Sequence, residues 1–245
     1  MASKLEAFTR LSAGDRSALA RVCRTVKTAD AGRDLISEGD TPTHVHLVLD
    51  GWACRYKQLP DGKRQIVSMF LTGDFCDVNV FLLKHMDHSV GAITRLKVAA
   101  ITPDEMEELT HDRPRITEAL WRHELVAMAI QREWTLNLGQ RSAYERLAHL
   151  LIELYMRLEA VGRAHDGCCD FPLTQSDLAD AAGLTPVHVN RTLQDLRRDK
   201  LIELERRRLQ ILDLPRMIEA AMFNPNYLHL ERDRRHLDAK ASTTA

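Results

Sequence analysis

The chain of 245 residues has no run near the about 18 uninterrupted apolar residues of a membrane span. Its first residues, Met-Ala-Ser-Lys-Leu-Glu-Ala-Phe, also lack the apolar core of an export signal. The expected location is therefore the cytoplasm, with no membrane partner. Cysteine is scarce and scattered (Cys23, Cys54, Cys76, Cys168, Cys169), and an odd, dispersed set suits reduced thiols rather than a disulfide framework. No charge dominates, since 34 Lys+Arg face 35 Asp+Glu for a formal net charge of −1. There is no internal repeat, no glycine-rich phosphate loop after a strand, no spaced His/Glu metal motif and no nucleophile elbow. A non-enzyme is expected, with no catalytic residues and no cofactor. His165-Asp166-Gly167-Cys168-Cys169-Asp170 gathers ligand-type side chains, but adjacent cysteines do not readily share one tetrahedral ion, so no metal is assigned and the stretch reads as an interdomain linker.

Residues 174–198 carry the most information. Thr174 suits an N-cap with Asp177 three residues on, and Leu178, Ala179 and Ala182 give the first helix its apolar face. Gly183 permits a turn. Thr185 then caps a second helix whose first position, Pro186, already has a helical φ and needs no N–H donor. Two short helices joined this tightly form a helix-turn-helix, which makes double-stranded DNA the expected partner. In the second helix Val189, Leu193 and Leu196 recur at core spacing and leave Val187, Asn190, Arg191 and Gln194 outward. Such a helix reads base edges with its N-terminal residues, here Val187, His188, Asn190 and Arg191. The guanidinium fork of Arg191 matches guanine O6/N7, Asn190 suits adenine and Val187 a thymine methyl. Thr174 and Thr185 are assigned to the DNA interface, Thr185 on phosphate.

Two short strands, Leu201 to Glu205 and Leu209 to Leu212, flank Arg206-Arg207-Arg208 and read as a wing whose three arginines meet sugar-phosphate. From His188 to Arg208 there are seven Lys/Arg against four Asp/Glu, so DNA affinity should depend on salt.

The first hundred residues have a different texture. Strand-like runs at 44–49, 52–58, 65–71 and 90–101 are punctuated by Asp50-Gly51, Pro60-Asp61-Gly62 and Gly73-Asp74, which implies a β-sandwich or roll. Leu5 to Val26 reads as a preceding helix. Pro114 to Asn137 forms a long helix in which Ile116, Leu120, His123, Ala127, Ile130, Trp134 and Asn137 step alternately by four and three. That heptad-like stripe suits a two-fold seam between copies, which would hold two recognition helices about 34 Å apart on a palindromic site. Packing on the chain's own roll is the alternative, which one side of this helix must do in any case, and both can hold at once. Gly139 marks the expected hinge before a helix from Ala143 to Glu159. The length suits two domains, each with its own core. The division is a sensor at 1–112, a dimerisation helix at 113–139, a DNA-binding domain at 140–217 and an extension at 218–245 whose last residues, Glu231 to Ala245, are expected to be mobile.

Val48-Leu49-Asp50-Gly51, Pro60-Asp61-Gly62-Lys63-Arg64, Phe70-Leu71-Thr72-Gly73-Asp74-Phe75 and Arg146-Leu147-Ala148, together with the helix-turn-helix, make the chain similar to the Crp/Fnr superfamily of bacterial transcription regulators. The resemblance covers about Leu5 to Met217. It implies an α+β protein: an N-terminal double-stranded β-helix (jelly-roll) sensor, a long dimerisation helix and a C-terminal winged helix-turn-helix. It also implies a homodimer controlled by a small-molecule effector or partner, with RNA polymerase as a further partner. The family's cyclic-nucleotide site needs a Gly-Glu pair for ribose and an Arg-Ser pair for phosphate. This chain instead follows Gly73-Asp74-Phe75 with Cys76-Asp77-Val78-Asn79-Val80, with no ribose carboxylate in register, and has His88 beside Ser89, where neutral imidazole lacks arginine's fixed charge and fork. An effector pocket is therefore placed at Asp77, His88, Ser89, Gln131 and Arg132 without cyclic AMP as its occupant. Iron–sulfur sensing lacks its cysteine cluster. Haem sensing has Cys76 in place but Val78 where the partner histidine belongs, which leaves cyclic nucleotide and haem as alternatives only. A reading of another class makes the winged helix a protein-interaction platform of a signalling module. Sequence-specific, salt-resistant DNA retardation separates the two.

Overall fold

A computed structural model describes residues 2–5, 9–78 and 80–230. Helices Ala2–Leu5 (α1) and Ala13–Val22 (α2) precede seven strands: Val26–Ala29 (β1), Asp34–Ile36 (β2), Val45–Asp50 (β3), Ala53–Gln58 (β4), Arg64–Phe70 (β5), Ser89–Ala92 (β6) and Leu96–Ile101 (β7). These form two antiparallel sheets in the orders β1-β7-β3 and β2-β6-β4-β5. Helices Pro103–Asp112 (α3), Pro114–Gln140 (α4) and Ala143–Ala160 (α5) follow. The C-terminal part comprises strands Ala164–His165 (β8) and Cys168–Asp170 (β9), helices Gln175–Ala182 (α6) and Pro186–Arg198 (α7), strands Ile202–Glu205 (β10) and Arg208–Ile211 (β11), and helix Leu214–Ala220 (α8). The result is the α+β architecture of roll, long helix and winged helix-turn-helix that the sequence implied.

Local chemistry explains many of the boundaries. Capping boxes start α2 (Ser12 with Asp15), α3 (Thr102 with Glu105), α5 (Ser142 with Glu145) and α6 (Thr174 with Asp177). Each satisfies two orphan N–H groups with one side-chain pair. In the roll, Gly51 turns β3 into β4 at φ 94, and a Cβ there would lie 2.5 Å from the Arg95 carbonyl, so only glycine fits.

Several expectations need correction. The helix expected over Leu5 to Val26 ends at Val22, and Val26 opens β1; residues 6–8 lie outside those described. The strand expected over Val90 to Ile101 is two strands broken at 93–95, each in a different sheet. Gly139 sits inside α4, which runs to Gln140, and the break falls at Arg141–Ser142, where the Ser142 cap starts a new helix. His165–Asp170 is no linker: it is a hairpin whose strands complete the wing sheet in the order β10-β11-β9-β8. Gly167 and Asp166, both at positive φ, make its turn.

The roll and the helices packed on it bury clusters of their own, around Leu47, Phe75 and Met106 and around Val48, Ala53 and Val98, but the C-terminal half does not close its core separately. One apolar cluster runs from Trp52, Ile66, Met69 and Leu71 of the roll through Trp134 of α4 to Leu151, Phe171, Val189 and Leu209 of the C-terminal half. Trp52 meets Phe171 edge-on at 5.8 Å. After α8 the chain turns back, and the 3-10 turn Pro225–Leu228 packs on α4. The expectation for Glu231 to Ala245 lies outside the described residues.

The stripe assigned to the dimer seam is spent inside the subunit. Ile116, Leu120, His123, Ile130, Trp134 and Asn137 are buried and Ala127 is half-buried. His123 packs edge-on against Phe75 at 5.7 Å, and Asn137 meets His149 Nδ1 at 3.1 Å. The large apolar residues that α4 leaves to solvent are Trp121 (66 % exposed), Leu125 (61 %) and Met128 (55 %), with Leu136 and Leu138 further along.

Candidate nucleic-acid interface and sensor cavity

Helix α7 is held by its inner face and its two ends. Val189, Thr192, Leu193 and Leu196 are buried in the shared core. Gly183 adopts the left-handed conformation (φ 62) that closes α6, and a Cβ there would come within 3.0 Å of Leu138. The Thr185 hydroxyl accepts the His188 N–H at 3.2 Å. Arg197, near the far end of α7, donates to the Leu204 carbonyl of the wing at 2.7 Å and fixes strand against helix.

The outward face is unspent. Val187 is 81 % exposed, which no folding role explains, and Asn190, Arg191 and Gln194 are exposed beside it. Among the described residues, neither Asn190 nor Arg191 has a hydrogen-bonding or ionic partner. His188 is half-buried at the same end. The two threonines differ. Thr185 Oγ1 accepts one bond and keeps its proton to donate, whereas Thr174 both accepts from Asp177 N–H at 3.1 Å and donates to the Asp177 carboxylate at 2.7 Å. A phosphate reaching Thr174 would have to displace that carboxylate.

The wing is tighter than its sequence suggested. Glu205 pairs with Arg208 across the ladder, so only Arg206 and Arg207 form the tip, at φ 47 and 62. Two positive φ values define a two-residue hairpin turn that Asn-Gly usually fills. Arginine at both positions holds a left-handed backbone that side chains rarely adopt. Arg208 lies in β11 instead, with its guanidinium 3.0 Å from Cys168 Sγ.

A contact that sequence reasoning missed joins this unit to the roll. Arg64, at the start of β5, donates to Asp180 at 2.7 Å and to Asp177 at 3.1 Å on α6. These pairs lie more than 110 positions apart, so nothing local signalled them. A second missed network is buried. Asp74 accepts from Lys4 and, at 3.2 Å, from Arg157 of α5. Arg157 also donates to Glu153 at 3.2 Å. Glu153 in turn accepts from Trp134 Nε1 at 3.0 Å and from the Tyr227 hydroxyl at 2.9 Å. Burial alone would raise the Asp74 carboxyl, but the Lys4 and Arg157 charges outweigh it and hold it well below the usual carboxylate range.

Beside this network lies a cavity of about 440 Å³, walled by the roll, α4, the end of α5 and residues 228–230. Of the residues assigned to an effector pocket, Asp77 and Gln131 line it and His88, Ser89 and Arg132 do not. His88 is engaged on both nitrogens, by Asp77 at 3.1 Å and Asp87 at 2.7 Å. Ser89 accepts the Glu38 N–H at 2.9 Å. Arg132 is exposed on α4.

The Crp-like helix-turn-helix domain model matches residues 145–220, and the cyclic nucleotide-binding domain model matches residues 26–113. The chain is 32 % identical over 199 residues to the transcriptional activator protein FnrL of Cereibacter sphaeroides, covering 80 % of this chain and 79 % of that one. It is 33 % identical over 190 residues to the nitrogen fixation regulation protein FixK of Bradyrhizobium diazoefficiens, covering 78 % of each. The solved structure of FixK2 from Bradyrhizobium japonicum superposes with a TM-score of 0.70 at 24 % identity, over 80 % of this chain and 96 % of that one. The chain belongs to the Crp/Fnr family, and it is a DNA-binding transcription regulator. No helix among the described residues is long and apolar enough to cross a membrane.

The residues present do not fit a cyclic nucleotide. Where the family motif calls for glycine, Asp77 stands at φ 130, a conformation that favours glycine, and its carboxylate is paired with Arg55 and His88. A ligand phosphate placed at His88-Ser89 would meet Asp77 and Asp87, two acids where the family supplies an arginine. Haem fares no better: Cys76 is buried, and Val78 stands where the haem-sensing branch has its partner histidine.

Proposed function

We propose that two copies of this chain form a homodimer that reads a palindromic operator in the cytoplasm, with RNA polymerase as a further partner and no enzymatic role. Val187, His188, Asn190 and Arg191 read base edges. Thr174, Thr185, Arg206, Arg207 and Arg208 hold the phosphate backbone, with Arg208 acting from its strand and Thr174 the weakest of the set. The observation that carries this reading is the exposed, unpartnered face of α7 beside an arginine-tipped hairpin. The division of labour is sensor at 1–112, dimerisation helix at 113–139, DNA-binding domain at 140–217 and extension at 218–245.

The dimer would form along Trp121, Leu125, Met128, Arg132 and Leu136, successive steps of four, three, four and four on α4. The three leading apolar members are more than half exposed in the single chain, an arrangement that favours burial against an identical helix. Effector control acts where the sensor meets α4 and α5, because the Asp74–Arg157 pair and the Arg64–Asp180 pair both join the sensor to the half that carries α7.

Selection of bound duplexes from a random pool tests the reading. The expected product is a two-fold symmetric consensus whose half-sites are separated by about one helical turn. A retained pool without consensus, released by moderate salt, would overturn it.

A further inference from the structure

The cavity against α5 differs in composition from the phosphate corner that the family motif would place at residues 77 and 88–89. Its apolar wall comes from Met69, Phe70, Phe75, Met128, Ile130 and Leu228. Its charged groups balance: Lys4, Arg55 and Arg157 stand against Asp74, Asp77 and Glu124. The three cations already hold carboxylates, Lys4 and Arg157 on Asp74 and Arg55 on Asp77. An anion entering here must separate a cation from the carboxylate it already holds, at the greatest cost in the buried Asp74–Arg157 pair, whereas an uncharged ligand leaves every pair intact.

We propose that this cavity binds an uncharged, mainly apolar small molecule, seated between α4, the end of α5 and residues 228–230. This site deepens the effector reading given above and rests on it. Its position supplies a route to the DNA-binding half. Arg157, on the cavity wall, bonds Glu153, and Glu153 holds Trp134 of α4 and Tyr227 of the returning C-terminal segment. Met128 belongs both to the wall and to the exposed stripe of α4, so an occupant touches the dimer face directly. Differential affinity of the occupant for two arrangements of α5 is then sufficient to bias the spacing of the recognition helices.

The test uses N-phenyl-1-naphthylamine, a neutral aromatic amine that fluoresces in apolar sites, titrated into the purified full chain. The expected result is a saturable rise with one site per chain. Ala127→Trp on α4 and, separately, Val161→Trp at the end of α5 each fill the cavity and weaken the probe at least tenfold. Circular dichroism and the urea midpoint show which variant is folded, and either folded variant suffices. Cyclic AMP at millimolar concentration is expected not to displace the probe. No saturable binding, affinity unchanged in a folded tryptophan variant, or displacement by cyclic AMP each overturns the proposal. Operator binding by the unaltered chain is scored separately, so loss of the probe site with operator binding retained removes the cavity proposal and leaves the DNA reading standing.

Discussion

Arg157 of α5 donates to the Asp74 carboxylate of the β-roll at 3.2 Å, across 83 positions of sequence, with both residues buried. The pair is a buried electrostatic joint between the β-roll and the DNA-binding half. A buried ion pair contributes little net stability over a well-packed apolar pair, but removing one partner leaves a charge uncompensated.

Asp74→Asn keeps an acceptor for the Leu71 N–H, which Asp74 Oδ2 binds at 2.7 Å, while leaving Lys4 without its carboxylate and Arg157 with Glu153 alone. The expected cost is about 3–5 kcal/mol, read as a lower urea midpoint. A loss below about 1 kcal/mol would show that the joint does not hold the halves together.

Arg191→Ala is expected to relax preference at one base pair per half-site, by about 1–3 kcal/mol of discrimination. Arg206→Ala with Arg207→Ala should instead weaken all sequences alike and flatten the salt dependence by about one unit of slope for each phosphate no longer neutralised. Competition binding across single-base operator variants at several salt concentrations distinguishes them. Equal loss of discrimination in both would contradict the assignment of α7 to bases and the hairpin tip to backbone.

Leu125→Glu places a carboxylate in the exposed stripe between Trp121 and Met128. Sedimentation should find a folded single subunit whose operator affinity has dropped by orders of magnitude, because one recognition helix replaces two. A stable dimer in this variant would move the interface elsewhere.

His149 is buried between Phe223 (4.8 Å) and Tyr227 (5.9 Å), and its pKa is lowered to about 3 by burial first and by Arg141 second. The folded protein thus keeps it neutral, while the unfolded chain protonates it below its ordinary 6.5. The unfolded state binds the extra proton, so the contribution of His149 to stability falls as pH drops from about 6.5 toward about 3. Glu153, raised by burial, acts in the opposite direction, so the comparison is with His149→Gln rather than with absolute stability. The stability advantage of the unaltered chain over the variant should shrink by about 1.4 kcal/mol per pH unit below 6.5. Urea titrations at pH 7 and pH 5 that give the same gap would refute this.

Much of the DNA-binding unit was legible because its determinants are local. The Thr174 and Thr185 caps, Gly183 and the Val189, Leu193 and Leu196 spacing act within one or two turns, and each element they specify is present. The wing was placed but its turn was not. Arg206 and Arg207 occupy positive φ with no glycine or asparagine to announce it, so Arg208 looked like part of the tip. The stripe on α4 was misassigned because a helix between two partners carries two apolar faces. Periodicity identified the larger, which belongs to this subunit, although Trp121, Leu125 and Met128 showed the same steps in the sequence.

The chain's own residues determined helix starts, strand runs, the reading helix and the mismatch with a cyclic-nucleotide site, since caps, periodicity and motif positions operate over a few neighbours. Only the folded arrangement decided which face of α4 stays open, that one apolar cluster spans both halves beside the roll's own clusters, that Arg64 grips α6 and that Asp74 meets Arg157. Those pairings join residues 83 to 116 positions apart, where electrostatics and packing act through space and leave no local pattern to read.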